Sequence, residues 1–282
     1  MAMLVSKTDV LLAAHFSVRY AGKPPVLRNV DLEIRQGEIL GLVGQSGSGK
    51  STLAMAVLGL LDRKQAQVDG SIKFQGSELL QLRESQLRGM RGRTLALVLQ
   101  SPLSSLNPAL RIQTQLKEAH RAHVSGSRAD CDAAIRTALE SVSLPSSKDF
   151  LRKYPSQMSV GQAQRVLIAM AVMHRPALLI ADEATSALDV ITQSEILALF
   201  ARLNRETGTA ILYISHDLAS VAGICDRIAI LHEEQIVECG SRDQIFANPR
   251  HEYTRRLIAA LPRMPQGTAS NALAKDAVAG KS

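Results

Sequence analysis

Residues 44–52 read GQSGSGKST, with three glycines and four hydroxyl side chains around one lysine. The run fits G-x-x-x-x-G-K-[ST], and each position has a chemical reason. Gly44, Gly47 and Gly49 allow backbone angles that turn successive N–H groups toward one anion. Lys50 can reach the β- and γ-phosphates of a nucleotide, and the Ser51 hydroxyl can hold Mg²⁺. Gln45, Ser46, Ser48 and Thr52 complete the candidate phosphate-binding set. A Gly/Ser-rich turn with a chance lysine is the bland alternative, and the flanking elements argue against it.

A second chemical group lies far along the chain. The apolar run ALLIAD (177–182) ends in Asp182 and Glu183. Such a pair at a strand end is suited to holding Mg²⁺ through Asp182 and to activating an attacking water through Glu183. The run TAILYIS (209–215) ends in His216 and Asp217, so a third polar group is expected at the same edge, where His216 can contact a γ-phosphate.

These residues need elements to position them. EILGLVG (38–44) reads as a buried strand and KSTLAMAVLGLL (50–61) as a helix. Strands alternating with helices imply a mostly parallel sheet covered on both faces. Residues 10–37 read as a β-rich antiparallel edge, and 101–160 as a helical insertion. Within it Ala134, Ile135, Ala138, Leu139 and Val142 recur at helical spacing. Ile196, Leu197, Phe200 and Leu203 do the same over 192–208, with Gly208 suited to ending that helix.

Composition narrows the class. The chain has 282 residues, 46% of them hydrophobic and only 3% aromatic, so an aliphatic core is expected. Lys and Arg total 33 against 26 Asp and Glu, a formal charge of +7. The excess is scattered apart from LRGMRGRT (87–94), and no aromatic residues interleave with it to stack bases, which argues against nucleic acid. Cys131, Cys225 and Cys239 form no C-x-x-C pair, so neither a disulfide framework nor a zinc ribbon is supported. The first residues lack the pattern of a signal peptide, and no apolar run reaches the roughly 18 residues a membrane span needs.

In its order of motifs the chain, over about 10–263, resembles the ATP-binding subunits of ABC transporters. Tyr20 stands where that family stacks an aromatic ring on adenine, and Gln100 in LVLQSP (97–102) matches the glutamine that touches the metal and senses the membrane partner. MSVGQAQRV (158–166) stands at the family's signature, giving Ser159, Val160, Gly161 and Gln162 for the nucleotide of an opposing subunit. Asp189 in SALD (186–189) matches the loop that communicates across the dimer, and His216 the switch histidine. Val160 replaces a glycine of the signature, and Ala184 the proline usual after the glutamate. No guanine-specifying N-K-x-D occurs.

The resemblance implies an α/β P-loop NTPase (ABC ATPase) core, with a mostly parallel sheet, an antiparallel β subdomain and an α-helical subdomain. It implies ATP and Mg²⁺ as cofactors and a second ATPase subunit, the same or paralogous. It further implies two transmembrane permease subunits, an indirect solute-binding protein, and a peripheral place on the cytoplasmic face of the inner membrane. QSPLSSLNPALRIQTQL (100–116) and VECGSRDQIFANPRHEYTRRLIAALP (237–262) resemble the peptide/nickel importer group. One ATP-binding domain over 1–265 is expected, with a group-specific extension at about 237–263 and a disordered tail at 266–282. A non-transport ABC ATPase and a weakly hydrolysing partner subunit are the rival readings.

Overall fold

The computed structural model describes residues 9–261; the expected tail and the end of the C-terminal extension lie outside the described residues. In chain order, β1 (Val10–Tyr20) and β2 (Pro25–Arg35) precede β3 (Ile39–Val43), which leads through the glycine-rich loop into α1 (Lys50–Val57). β4 (Ala66–Phe74), β5 (Ser77–Glu78), α2 (Glu84–Met90) and β6 (Leu95–Val98) follow. A helical stretch contains α3 (Pro102–Ser105), α4 (Ile112–Arg121), α5 (Arg128–Ser141), α6 (Lys148–Leu151) and α7 (Val160–Val172). The chain then alternates through β7 (Leu178–Asp182), α8 (Val190–Thr207), β8 (Ala210–Ser215), α9 (Leu218–Ile224) and β9 (Arg227–His232). It finishes with β10 (Gln235–Ser241), α10 (Arg242–Ala247) and α11 (Glu252–Ala259).

Two sheets result. The smaller runs β2-β1-β4-β5 and is antiparallel throughout. The larger runs β10-β9-β3-β8-β7-β6, parallel except for the β9/β10 hairpin at one edge. Every position of β3, β7 and β8 is buried, as expected of strands covered on both faces. Leu40, Leu42, Ile180 and Leu212 face α1 and the antiparallel sheet, packing with Leu53, Val57, Phe16 and Phe74. Val43, Ala181, Ile211 and Tyr213 face the helices, packing with Ile135, Val166, Phe200 and Val221.

The register brings the chemistry together. Val43 pairs with Ser215, and Asp182 with Ile214. The loops after β3, β7 and β8 therefore leave one edge side by side, at the usual strand spacing of about 5 Å.

Some boundaries differ from the sequence reading. The helix expected over 50–61 stops at Val57, because Gly59 takes φ +61° and turns the chain. Arg91 closes that end: its guanidinium donates to the carbonyls of Leu58 and Gly59, each at 2.7 Å. This gives one arginine of the basic 87–94 run a structural task at a helix C-terminus. The helical insertion expected to end at 160 runs on instead into α7, which begins at Val160 and is capped by Ser159.

Candidate active site

The glycine-rich loop is tight where β3 ends. A Cβ on Gly44 would stand 2.5 Å from the Leu231 carbonyl oxygen and 2.7 Å from Ser48 Oγ, so no side chain fits there. Gly49 takes φ +103°, a conformation other residues rarely adopt, and forms the N-cap of α1. That helix has neither a side-chain cap nor an acidic residue in its first turn. Its first N–H groups are left to an anion, and the helix dipole favours one.

Lys50 is buried at 4% exposure, and its ammonium donates to the carbonyls of Gly44 and Gln45, both at 2.9 Å. Burial lowers its pKa, while the carboxylates of Glu183 and Asp182 push it back up. Asp182 is 6% exposed. Burial raises its pKa above the usual carboxylate range, opposed by the Ser51 hydroxyl that interacts with it. Its Oδ1 has no hydrogen-bond partner among the described residues. Such an orphaned buried oxygen beside a hydroxyl is a donor set that suits Mg²⁺.

Glu183 sits at φ +48°, a strained value for a residue with a side chain, and its N–H donates to the Ile214 carbonyl at 3.0 Å. The turn carries its carboxylate back over the sheet edge. Glu183 Oε1 lies 3.7 Å from Lys50 Nζ and 3.4 Å from His216 Nδ1. The imidazole of His216 is half-exposed.

The structure thus brings together Lys50, Ser51, Asp182, Glu183 and His216. No hydrogen bond or ion pair among the described residues ties Tyr20 or Gln100 to this cluster. Tyr20 is half-buried at the end of β1 opposite Ala66, and Gln100 is exposed just past β6, at the same sheet edge as Asp182.

The signature residues form a second group. Ser159 Oγ accepts from the Gln162 N–H at 3.2 Å and Gln162 Oε1 accepts from the Ser159 N–H at 3.3 Å, a reciprocal cap on α7. Asp189 caps α8, accepting from the Thr192 N–H at 3.0 Å and its hydroxyl at 2.7 Å. Those bonds hold its carboxyl below the usual range. The two helix starts touch, since a Cβ on Gly161 would stand 2.8 Å from Thr192 Cγ2.

Sequence reasoning passed over a buried hydroxyl network behind the turn that carries Glu183. Tyr213 Oη bonds Thr185 Oγ1 at 2.8 Å, and Ser220 Oγ lies 3.2 Å from Ser215 Oγ. The Asp217 N–H donates to Ser215 Oγ at 3.0 Å. The network joins the turns that carry Glu183 and His216. A tyrosine inside an otherwise aliphatic strand was its signal.

Fold and cluster together define a P-loop nucleotide-hydrolysing cassette. The family model described as "ABC transporter" matches residues 27–186, and the one described as "Oligopeptide/dipeptide transporter, C-terminal region" matches 237–279. The oligopeptide transport ATP-binding protein OppD of Escherichia coli is 40% identical over 243 residues, covering 86% of this chain and 72% of that protein. The dipeptide transport ATP-binding protein DppD of Bacillus subtilis is 38% identical over 246 residues, covering 87% and 73%. The glutathione import ATP-binding protein GsiA of Salmonella typhimurium is 40% identical over 244 residues, 84% of this chain but 39% of that protein.

Among solved structures, cbiO1 from Clostridium perfringens, part of the ABC transporter complex cbiONQ, superposes with a TM-score of 0.74 at 26% identity, covering 90% of this chain and 97% of that one. The dimeric post-hydrolysis cassette MJ0796 bound to ADP and Pi superposes with a TM-score of 0.70 at 26% identity, covering 83% and 98%. The chain belongs to the ABC transporter ATP-binding family, in its oligopeptide/dipeptide group. It is an ABC ATPase. Among the described residues no helix is long and apolar enough to cross a membrane.

Proposed function

We propose that this chain hydrolyses ATP to drive import of a peptide or peptide-like solute. The observation that carries the catalytic part is Glu183, held at the sheet edge between Lys50 and His216. The cargo class rests on the peptide-transport names of the relatives and on the matching C-terminal segment; nickel, a cargo of the same group by resemblance, has no such support.

In this reading the amides of residues 47–52 bind the triphosphate. Lys50 leaves the Gly44 and Gln45 carbonyls for the β- and γ-phosphates, and Tyr20 stacks on the adenine. Ser51 and Asp182 would hold Mg²⁺, with Gln100 reaching in from the neighbouring strand. The ion supplies charge neutralisation on the phosphates when bound. Glu183 takes a proton from the attacking water, and His216 with Lys50 stabilises charge growing on the γ-phosphate.

Ser159, Val160, Gly161 and Gln162 serve the nucleotide of a second cassette, and Asp189 reports across that dimer. Two permease subunits and, through them, a solute-binding protein complete the importer, with this chain peripheral on the cytoplasmic face. Glu183→Gln is expected to keep ATP affinity and to lower turnover by about 10²–10⁴ in the purified complex. An unchanged hydrolysis rate refutes the assignment of the base.

A further inference from the structure

Thr185, Tyr213, Ser215 and Ser220 are all buried, and their hydroxyls form one chain between the turn after β7 and the start of α9. Its direction follows from its end. The Asp217 carbonyl can only accept, so Ser220 Oγ donates to it at 2.8 Å. A hydroxyl has one proton. Ser220 Oγ must therefore accept from its other two neighbours, Tyr213 Oη at 3.4 Å and Ser215 Oγ at 3.2 Å. The Tyr213 proton is then committed, and Thr185 Oγ1 donates to Tyr213 Oη at 2.8 Å. Ser215 Oγ accepts the Asp217 N–H at 3.0 Å.

Each end of the chain holds a turn of the site. On one side Thr185 lies two residues after Glu183, and the Ser186 N–H and Oγ donate to the Glu183 carbonyl at 3.1 and 3.0 Å, which closes that turn. Glu183 has φ +48°, a conformation that persists only where the surroundings enforce it. Its N–H is held at 3.0 Å by the carbonyl of Ile214, the neighbour of Tyr213, while Thr185 ties the turn to the tyrosine hydroxyl itself. On the other side His216 lies between Ser215, whose side chain belongs to the chain, and Asp217, whose N–H and carbonyl both do. Tyr213 is the member that joins the two sides.

We propose that Tyr213 is a positioning residue for hydrolysis: its hydroxyl fixes the turn of Glu183 against the turn of His216, and with it the 3.4 Å at which Glu183 Oε1 faces His216 Nδ1. The inference rests on the assignment of Glu183 as the base given above. Among the described residues these hydroxyls make no hydrogen bond to residues 44–52, so the effect falls on the chemical step rather than on ATP affinity.

The test uses the full chain and its assembled complex. Tyr213→Phe keeps the ring, whose centroid lies 6.3 Å from that of Phe200, and removes only the hydroxyl. It is expected to bind a fluorescent ATP analogue with Mg²⁺ within about twofold of the parent, and to lower the single-turnover rate at saturating ATP about three- to tenfold, the size of one hydrogen bond. Thr185→Val cuts the same link from the other side. It is expected to lower the rate alike, and the double variant no further than either change alone. In the Glu183→Gln background, where no base is left to place, Tyr213→Phe is expected to slow the residual rate no further. If Tyr213→Phe and Thr185→Val lower only Tm and hydrolyse ATP as the parent does, the hydroxyl chain is merely structural and the proposal is wrong. A loss of ATP affinity with the single-turnover rate unchanged, or an equal loss of rate in the Glu183→Gln background, overturns it as well. Glu183→Gln alone separates the two readings: parent-like turnover there means that the base assignment itself fails.

Discussion

Asp182 is a carboxylate in a place that opposes its charge. Burial is the largest influence on it and raises its pKa, with Glu183 adding to the rise and Lys50 and Ser51 opposing it. A raised folded-state pKa means that the native protein holds this proton to higher pH than the unfolded chain does. The stability linked to the group is full below the unfolded value of about 3.9 and is lost as pH rises through the folded one. At neutral pH the whole penalty is present. Asp182→Asn is therefore expected to raise stability by about 1 kcal/mol, roughly 2–4 °C in Tm, at pH 7. The gain shrinks as the pH of a thermal melt approaches 4, and ATP turnover is lost. A Tm below the parent's at pH 7 would show instead that the ionised carboxylate supports the fold. That Lys50, Asp182, Glu183 and His216 meet was legible in the sequence, because each follows a short apolar or glycine-rich run that feeds the same sheet edge. The hydroxyl chain from Thr185 through Tyr213 to Ser215 was not, because serine and threonine are common everywhere and only the fold reveals which of them meet.

At the scale of elements, the buried strands announced themselves as short apolar runs, and α8 as a stripe of Ile196, Phe200 and Leu203. The start of α7 was harder to read. The sequence drew attention to Val160, where a branched side chain replaces a glycine. In the structure Val160 is the first residue of α7, 38% exposed and with negative φ, so valine fits without strain. The constraint falls on Gly161 instead. A methyl group there would press on Thr192, whose hydroxyl donates to Asp189 at 2.7 Å, so relief by rotation breaks that hydroxyl bond and leaves only the Thr192 N–H on the Asp189 cap. Gly161→Ala is expected to cost about 1–3 kcal/mol, seen as a lower Tm, while Val160→Gly changes Tm by less than about 0.5 kcal/mol equivalent. If the two variants melt together, the contact between the starts of α7 and α8 does not constrain this glycine. The end of α1 escaped the sequence for a related reason: its closing group, Arg91, arrives from 33 residues away.

For the whole molecule, local pattern showed that a parallel sheet exists but could not give its order, since β3 pairs with β8 and β9 across most of the chain. That order makes one site from distant segments, yet it leaves the start of the signature helix exposed, while the rest of α7 is packed in the core. Val190 and Ile191 are 82% and 75% exposed directly after Asp189, and Val160 is exposed across the Gly161–Thr192 contact. Single exposed apolar residues are ordinary; three gathered around two polar helix caps suit a surface that is covered in use. If a second cassette covers it when ATP is bound, the Glu183→Gln chain should associate on adding ATP and Mg²⁺, read by sedimentation. At a nucleotide concentration 100-fold above Kd, binding alone is expected to add about 2.7 kcal/mol, or roughly 5–10 °C in Tm. Adding Val190→Asp and Ile191→Asp places charge where the partner would desolvate it. That variant should keep its nucleotide-free Tm, because these side chains contribute little to the core, and keep most of the binding-induced shift in Tm. It should remain monomeric with ATP, and a dimer of undiminished stability would show that this face of the cassette is not the one that closes.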